Sequence, residues 1–158
     1  MTFNKIFVDS DILLDFLLNR PGFADYSQAL LNRGNQKSLS LFTSALILAN
    51  VHYIITKNVN KETAKRSVQY LVDIMNILPF EVSHINFSIN QEYIDLEDGI
   101  QYYIAKQNNC DIIITRNIKH YKKFDIPVLT AENFYESYYH NATPNRSIHY
   151  RNKRLFAG

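Results

Sequence analysis

A chain of 158 residues is long enough for one domain with a single buried core, and 46% hydrophobic with 20% charged residues is the profile of a folded protein. One cysteine, Cys110, excludes an internal disulfide and argues against a thiolate zinc site, which fits a reducing, cytoplasmic setting. The net charge of +2 is too small to imply a polyanionic partner by itself, no apolar run approaches the roughly 20 residues of a membrane span, and Met1–Val8 reaches Asp9 without the apolar core of a signal peptide.

In chain order, Lys5-Ile6-Phe7-Val8 reads as a short buried strand. It runs into a helix from Ser10 to Leu18, with apolar residues 13, 14, 17 and 18 at helical spacing and Pro21-Gly22 closing it. A second helix is expected from Phe23 to about Arg33, stopped by Gly34-Asn35. Leu39 to Leu41 is β-compatible; Ser44 then caps a helix through Lys57, and Asn60 caps another to about Met75. Leu78 to Val82 reads as a further strand and Ile85 to Tyr93 as a short helix. Asp95 opens a helix ending near Asn108-Asn109, with Leu96, Ile100, Tyr103 and Ile104 expected on its buried side. Asp111-Ile112-Ile113-Ile114-Thr115 is the strongest strand, apolar and β-branched. A turn at Asn117, a short helix, an edge strand at Pro127–Thr130 and a last helix from Ala131 to about Tyr139 complete the body.

Strands alternating with helices through short connections predict a mainly parallel sheet covered by helices on both faces. One domain is expected over residues 1–140. Residues 141–158 hold Arg146, Arg151, Lys153 and Arg154 and no acid, so a flexible tail of +4 follows a body of −2. With 11 Tyr and 10 Phe, not every ring hydroxyl finds a partner in so small a core, and some rings are expected at helix surfaces or an interface.

Ligands of open parallel sheets bind beyond the carboxyl ends of the strands. Three polar groups are expected there: Asp9-Ser10-Asp11, Asp95-Leu96-Glu97-Asp98 and Thr115-Arg116-Asn117. Carboxylates and amide oxygens gathered together are the ligand set of a hard cation such as Mg²⁺ or Mn²⁺, which binds a phosphodiester oxygen and acidifies an attacking water. Each acid also has an ordinary use, since Asp9, Ser10 and Asp95 stand where helix caps stand and Asp11, Glu97 and Asp98 complement helix dipoles.

The order of these motifs resembles the PIN domain family. The resemblance rests on Ile6-Phe7-Val8-Asp9-Ser10-Asp11-Ile12-Leu13-Leu14-Asp15, on Thr43-Ser44-Ala45 entering a helix, on Asp95-Leu96-Glu97-Asp98-Gly99-Ile100-Gln101, and on Cys110-Asp111-Ile112-Ile113-Ile114-Thr115-Arg116-Asn117. It covers about Lys5 to Tyr139. It implies an α/β three-layer sandwich and a cytoplasmic Mg²⁺- or Mn²⁺-dependent ribonuclease of the bacterial toxin branch, homodimeric and restrained by an antitoxin. By motif match, Asp9, Asp98 and Glu97 would be metal ligands and catalytic residues together with Asn117. Arg20, Ser44, Thr115 and Arg116 would serve the substrate. Two departures stand out: Asn50 occupies the place of a glutamate in many members, and His120 that of a late acid.

Two other readings compete. An Asp-x-Asp after a first strand also opens haloacid-dehalogenase-type phosphatases, but these want their paired acids last, and here Glu97-Asp98 precedes Thr115. With two acidic positions neutral, a PIN-like module that binds RNA or a protein without cutting is the stronger alternative. Phe16, Tyr26, Val51 and Tyr53 would then be able to serve an interface, although core packing is the default for each. No Walker A or Gly-x-Gly-x-x-Gly pattern supports mononucleotide binding.

Overall fold

The computed structural model describes residues 3–92 and 95–139, so the basic segment 141–158 lies outside the described residues. Its elements are β1 (Lys5–Val8), α1 (Ser10–Leu17), α2 (Ala24–Asn35), β2 (Ser40–Ser44), α3 (Ala45–Asn58), α4 (Lys61–Ile74) and β3 (Asn76–Leu78). There follow α5 (Val82–Ile89), α6 (Leu96–Gln107), β4 (Ile112–Ile114), a 3-10 turn (Ile118–Tyr121), β5 (Val128–Leu129) and α7 (Ala131–Tyr139).

The five strands form one sheet in the order β3-β2-β1-β4-β5, and every pairing is parallel. Parallel pairing needs a crossover for each connection, and right-handed crossovers put α1–α4 on one face and α5–α6 on the other. Layers on both faces explain why the central strands are apolar without alternation: Ile6, Phe7, Val8, Ile112, Ile113 and Ile114 are all fully buried. The chain leaves β1 toward β2 but returns from β3 to the opposite side of β1, at β4. The crevice at the carboxyl ends of β1 and β4 is therefore the switch point where such sheets bind ligands.

Several local expectations change. The strand expected at Leu78–Val82 is instead β3, which ends at Leu78, and Val82 opens α5. Pro79 has no N–H to extend the ladder. Asn76 is tolerated in this edge strand because its Nδ2 donates to Leu41 O at 3.1 Å. Gly34-Asn35 does not stop α2 but lies within it, and Lys37 takes the left-handed turn at φ 56°. Gly34 is there for close approach, since a Cβ would collide with the Leu41 side chain, itself buried in the core. On α6 the buried stripe is Gly99, Ile100, Gln101, Ile104 and Ala105, while Leu96 at the first helical position is 47% exposed. Tyr103 is half-buried and stacks on Phe87 with centroids 4.2 Å apart. Val51 takes its default place in the core and is fully buried.

Cys110 precedes β4 in the core, and burial pushes its thiol up to about 12. At pH 8 its thiolate is then roughly a thousand-fold scarcer than in the unfolded chain. Iodoacetamide should leave the native protein unmodified at pH 8 and label it fully in denaturant; ready native labelling read by mass would contradict this burial.

Candidate functional site

Asp9 follows the last residue of β1 and is held there by the sheet, its own N–H donating to Ile114 O at 3.0 Å. Extended backbone at Asp9 turns directly into α1, so the side chain acts as N-cap, Oδ1 accepting the Ser10 N–H at 2.7 Å. That leaves Oδ2 facing the β1–β4 crevice, where it accepts the Thr115 hydroxyl at 2.9 Å and the Tyr121 hydroxyl at 3.3 Å. The cap reading and the site reading thus describe the same residue, one oxygen serving each.

Asp11, two residues on, turns back to the same place. Its Oδ2 accepts the Arg116 N–H at 2.9 Å and lies 3.3 Å from the Thr115 hydroxyl, while its Oδ1 is buried without a hydrogen-bond partner. One hydroxyl hydrogen cannot serve two carboxylates at once. The electrostatics follow from this crowding. Burial, followed by the neighbouring Asp9 charge, lifts Asp11 to about 6. Burial also raises Asp9, with Asp98 adding repulsion, and burial raises Asp98 against the pull of His120. Tyr121 is raised by burial and by Asp9 and Asp98, so it remains a hydroxyl donor.

Asp98 and Glu97 arrive in the first turn of α6, which Asp95 caps through the Glu97 N–H at 3.0 Å. The two positions that depart from the expected acids both touch this pair. His120 Nδ1 stands 2.9 Å from Asp98 Oδ2, and Asn50 Nδ2 donates to Glu97 Oε1 at 2.9 Å. Asn117 is exposed at the rim, its backbone N–H donating to Thr115 Oγ1 at 3.1 Å.

The residues expected to meet substrate divide in two. Ser44 and Thr115 are fully buried: Ser44 caps α3 and donates to Gln101 Oε1 at 2.7 Å, and Thr115 orients Asp9. Arg20 and Arg116 remain partly exposed and converge on Asp15, which is fully buried. Arg20 donates to Asp15 Oδ1 at 3.3 Å. Arg116 Nε lies 3.3 Å from Asp15 Oδ2, yet neither atom has an aligned hydrogen bond, so this is a charge contact only.

Asp15, Gln101 and Tyr121 were not among the expected site residues, and Asp11 was expected at the strand end but given no role of its own. Asp15 was within reach of inspection, since it follows Asp11 by four residues and shares its helix face. Tyr121 carries no local signal, because only the fold brings it across to Asp9. Among the described residues, no three His, Cys, Asp or Glu side chains stand as a ready-made metal cage. The donor set nevertheless suits a hard, strongly hydrated cation: Asp9 and Asp98 are close enough to repel, and Mg²⁺ characteristically takes one or two carboxylates and keeps several waters.

A family model described as PIN domain matches residues 5–119 of this chain. Ribonuclease VapC1 of Aquifex aeolicus is 30% identical over 141 residues, covering 86% of this chain and 96% of the relative. Among solved structures, VapBC2 from Rickettsia felis, determined with a DNA fragment, superposes with a TM-score of 0.63 at 16% identity over 80% of this chain and 98% of its own. VapBC-1 from nontypeable Haemophilus influenzae gives 0.61 at 18% identity, over 81% and 98%. At these identities the two structures speak to fold alone.

Proposed function

The chain belongs to the PIN domain family, and from that premise we propose that it is a metal-dependent endoribonuclease using Mg²⁺ or Mn²⁺. The observation that carries this is Asp9, placed at the β1–β4 switch point with one oxygen turned into the crevice and within electrostatic reach of Asp98. The relative from Aquifex aeolicus bears the name ribonuclease, and among the solved neighbours is a toxin–antitoxin complex from Klebsiella pneumoniae. We therefore assign the protein as the toxin of such a pair, homodimeric, acting on cytoplasmic RNA and held in check by an antitoxin protein. None of the described helices is long and apolar enough to cross a membrane.

Asp9 and Asp98 would hold the cation, with Glu97 beside them. Bound there, it would supply charge stabilisation to the phosphodiester and acidify a water. The protein's own part is orientation. Ser10, Thr115 and Tyr121 hold the Asp9 carboxylate in one pose, His120 holds Asp98, and Asn50 holds Glu97. Ser44 and Thr115 act by position, whereas Asn117 at the rim and the exposed parts of Arg20 and Arg116 are the groups available to water and phosphate.

Purified protein, free of any antitoxin, should cut single-stranded RNA with Mg²⁺ or Mn²⁺ and stop when the metal is chelated. Asp98→Asn should lower the rate on the order of 100-fold or more, as loss of a charge-stabilising group does. The second reading, a module that binds RNA without cutting it, is favoured by the engagement of Asp98 with His120 and of Glu97 with Asn50. RNA binding without cleavage under either metal would decide for it.

A further inference from the structure

The 3-10 turn after β4 brings a nitrogen to a crevice otherwise built of oxygens. The turn is firmly placed. Tyr121 at its end is buried with its hydroxyl on Asp9 Oδ2, and the His120 N–H donates to Asn117 O at 2.9 Å. Two successive side chains thus reach the two carboxylates, Tyr121 meeting Asp9 and His120 meeting Asp98. His120 Nδ1 stands 2.9 Å from Asp98 Oδ2, while the His120 side chain keeps 54% of its surface exposed.

A stabilising role accounts poorly for this contact, since a pair with one partner so open to water contributes little to a fold. A role toward a cation accounts for it better. Donors on adjacent corners of an octahedral ion, bonded at about 2.1 Å, stand about 3 Å apart. Nδ1 and Oδ2 already have that spacing, and a hydrogen bond holds the two atoms until a cation takes its place. The other groups nearby are partly engaged. Glu97 Oε1 accepts the Asn50 amide and Asp9 Oδ1 accepts the Ser10 N–H, which leaves Asp9 Oδ2 and Asp98 as the oxygens facing each other.

We propose, on the premise that Asp9 and Asp98 hold a cation, that His120 is its nitrogen ligand and that the site thereby selects a first-row transition ion over Mg²⁺. Carboxylates and water suit Mg²⁺. Imidazole suits transition ions, and a mixed nitrogen and oxygen site binds them more tightly from Mn²⁺ through Co²⁺ to Ni²⁺. Of the two ions named above for cleavage, the site is fitted to Mn²⁺. The histidine at position 120 is then a change of metal and not the loss of one.

The test titrates the full chain, free of any antitoxin, with Mg²⁺, Mn²⁺ and Ni²⁺ by calorimetry, and reads bound Mn²⁺ by pulsed electron paramagnetic resonance for a directly bonded ¹⁴N. Wild type should bind Ni²⁺ more tightly than Mn²⁺ and Mn²⁺ more tightly than Mg²⁺, with nitrogen coupling on the Mn²⁺. His120→Ala should remove that coupling and weaken Ni²⁺ by about 10–100-fold or more, since losing even an outer-shell partner costs that much. Mg²⁺ affinity should change little. His120→Asp should also remove the coupling but strengthen Mg²⁺. Both replace an exposed side chain, so both should melt near wild type in chelator. No nitrogen coupling in wild type, coupling that survives His120→Ala, or Mg²⁺ bound as tightly as Ni²⁺ overturns the proposal and leaves His120 a partner of Asp98 only. Nitrogen-bound Mn²⁺ without RNA cleavage would sink the nuclease assignment and keep the ligand; cleavage with Mg²⁺ and Mn²⁺ alike and no nitrogen coupling would do the reverse.

Discussion

Asp9→Asn is expected to remove RNA cleavage and at the same time to make the protein more stable. The carboxylate lies in a buried crevice where loss of water and the Asp98 charge both disfavour its ionised form, so its folded pKa stands above the ordinary value. A group shifted that way favours the fold while protonated, and costs stability as pH rises through the folded pKa. Asparagine is free of that cost and can keep the contacts: its Oδ1 can accept the Ser10 N–H, and its Nδ2 can donate to the Thr115 and Tyr121 hydroxyl oxygens, which rotate. In chelator at pH 7–8 the variant should melt above wild type, each kcal/mol appearing as about 2–4 °C. The gap should close as pH falls and the wild-type carboxyl protonates. Added Mn²⁺ should raise the melting temperature of wild type but not of the variant, because only a folded state that binds metal gains from it. Cleavage should fall by about 100–1,000-fold or more. A variant that melts lower than wild type at every pH, or still cuts at near the wild-type rate, would show that Asp9 is a structural cap and no more.

Tyr121 separates packing from placement at the same site. It heads the largest fully buried side chains and packs on Phe124, which in turn stacks on Tyr102 of α6 with centroids 4.0 Å apart. Truncation to alanine should cost about 3–5 kcal/mol, as for other large buried rings. In a chain of this size that is a melting temperature lower by roughly 6–20 °C. Tyr121→Phe keeps the ring and removes only the donor to Asp9 Oδ2. It should melt near wild type yet bind Mn²⁺ about tenfold more weakly, the usual effect of losing a group that orients a metal ligand. Equal Mn²⁺ affinity by calorimetry in wild type and Tyr121→Phe would show that the Ser10 N–H and Thr115 suffice to orient Asp9.

The neutral residues at two expected acid positions take on a different meaning in three dimensions. Asn50 and His120 are not gaps in the crevice, because each holds one of the acids that remain, Glu97 and Asp98. A carboxylate at either place would face another carboxylate, as Asp11 already faces Asp9.

Much of this was legible from residue order. The triple isoleucine before Thr115 and the Ile-Phe-Val before Asp9 can only be strands covered on both faces, and alternating helices make their sheet parallel. Such a sheet puts its chemistry at strand carboxyl ends, so Asp9 and Thr115 were readable from the chain alone as candidates for that crevice. Helix caps at Ser44, Asn60 and Asp95 were legible for the same reason, since a cap is an interaction within three residues. What failed locally was decided by packing. Gly34 looks like a helix stop but exists to let Leu41 approach, and the third strand stops at Leu78 because Pro79 follows. The site's completion was also tertiary. Tyr121 reaches Asp9 from 112 residues away, Arg116 reaches Asp11 from 105, and His120 meets Asp98 because the turn after β4 packs on α6. Sequence alone determined that an acid would stand at the end of the first strand. Only the tertiary structure decided which groups crowd it, and burial by distant neighbours is what raises its pKa and sets its pose.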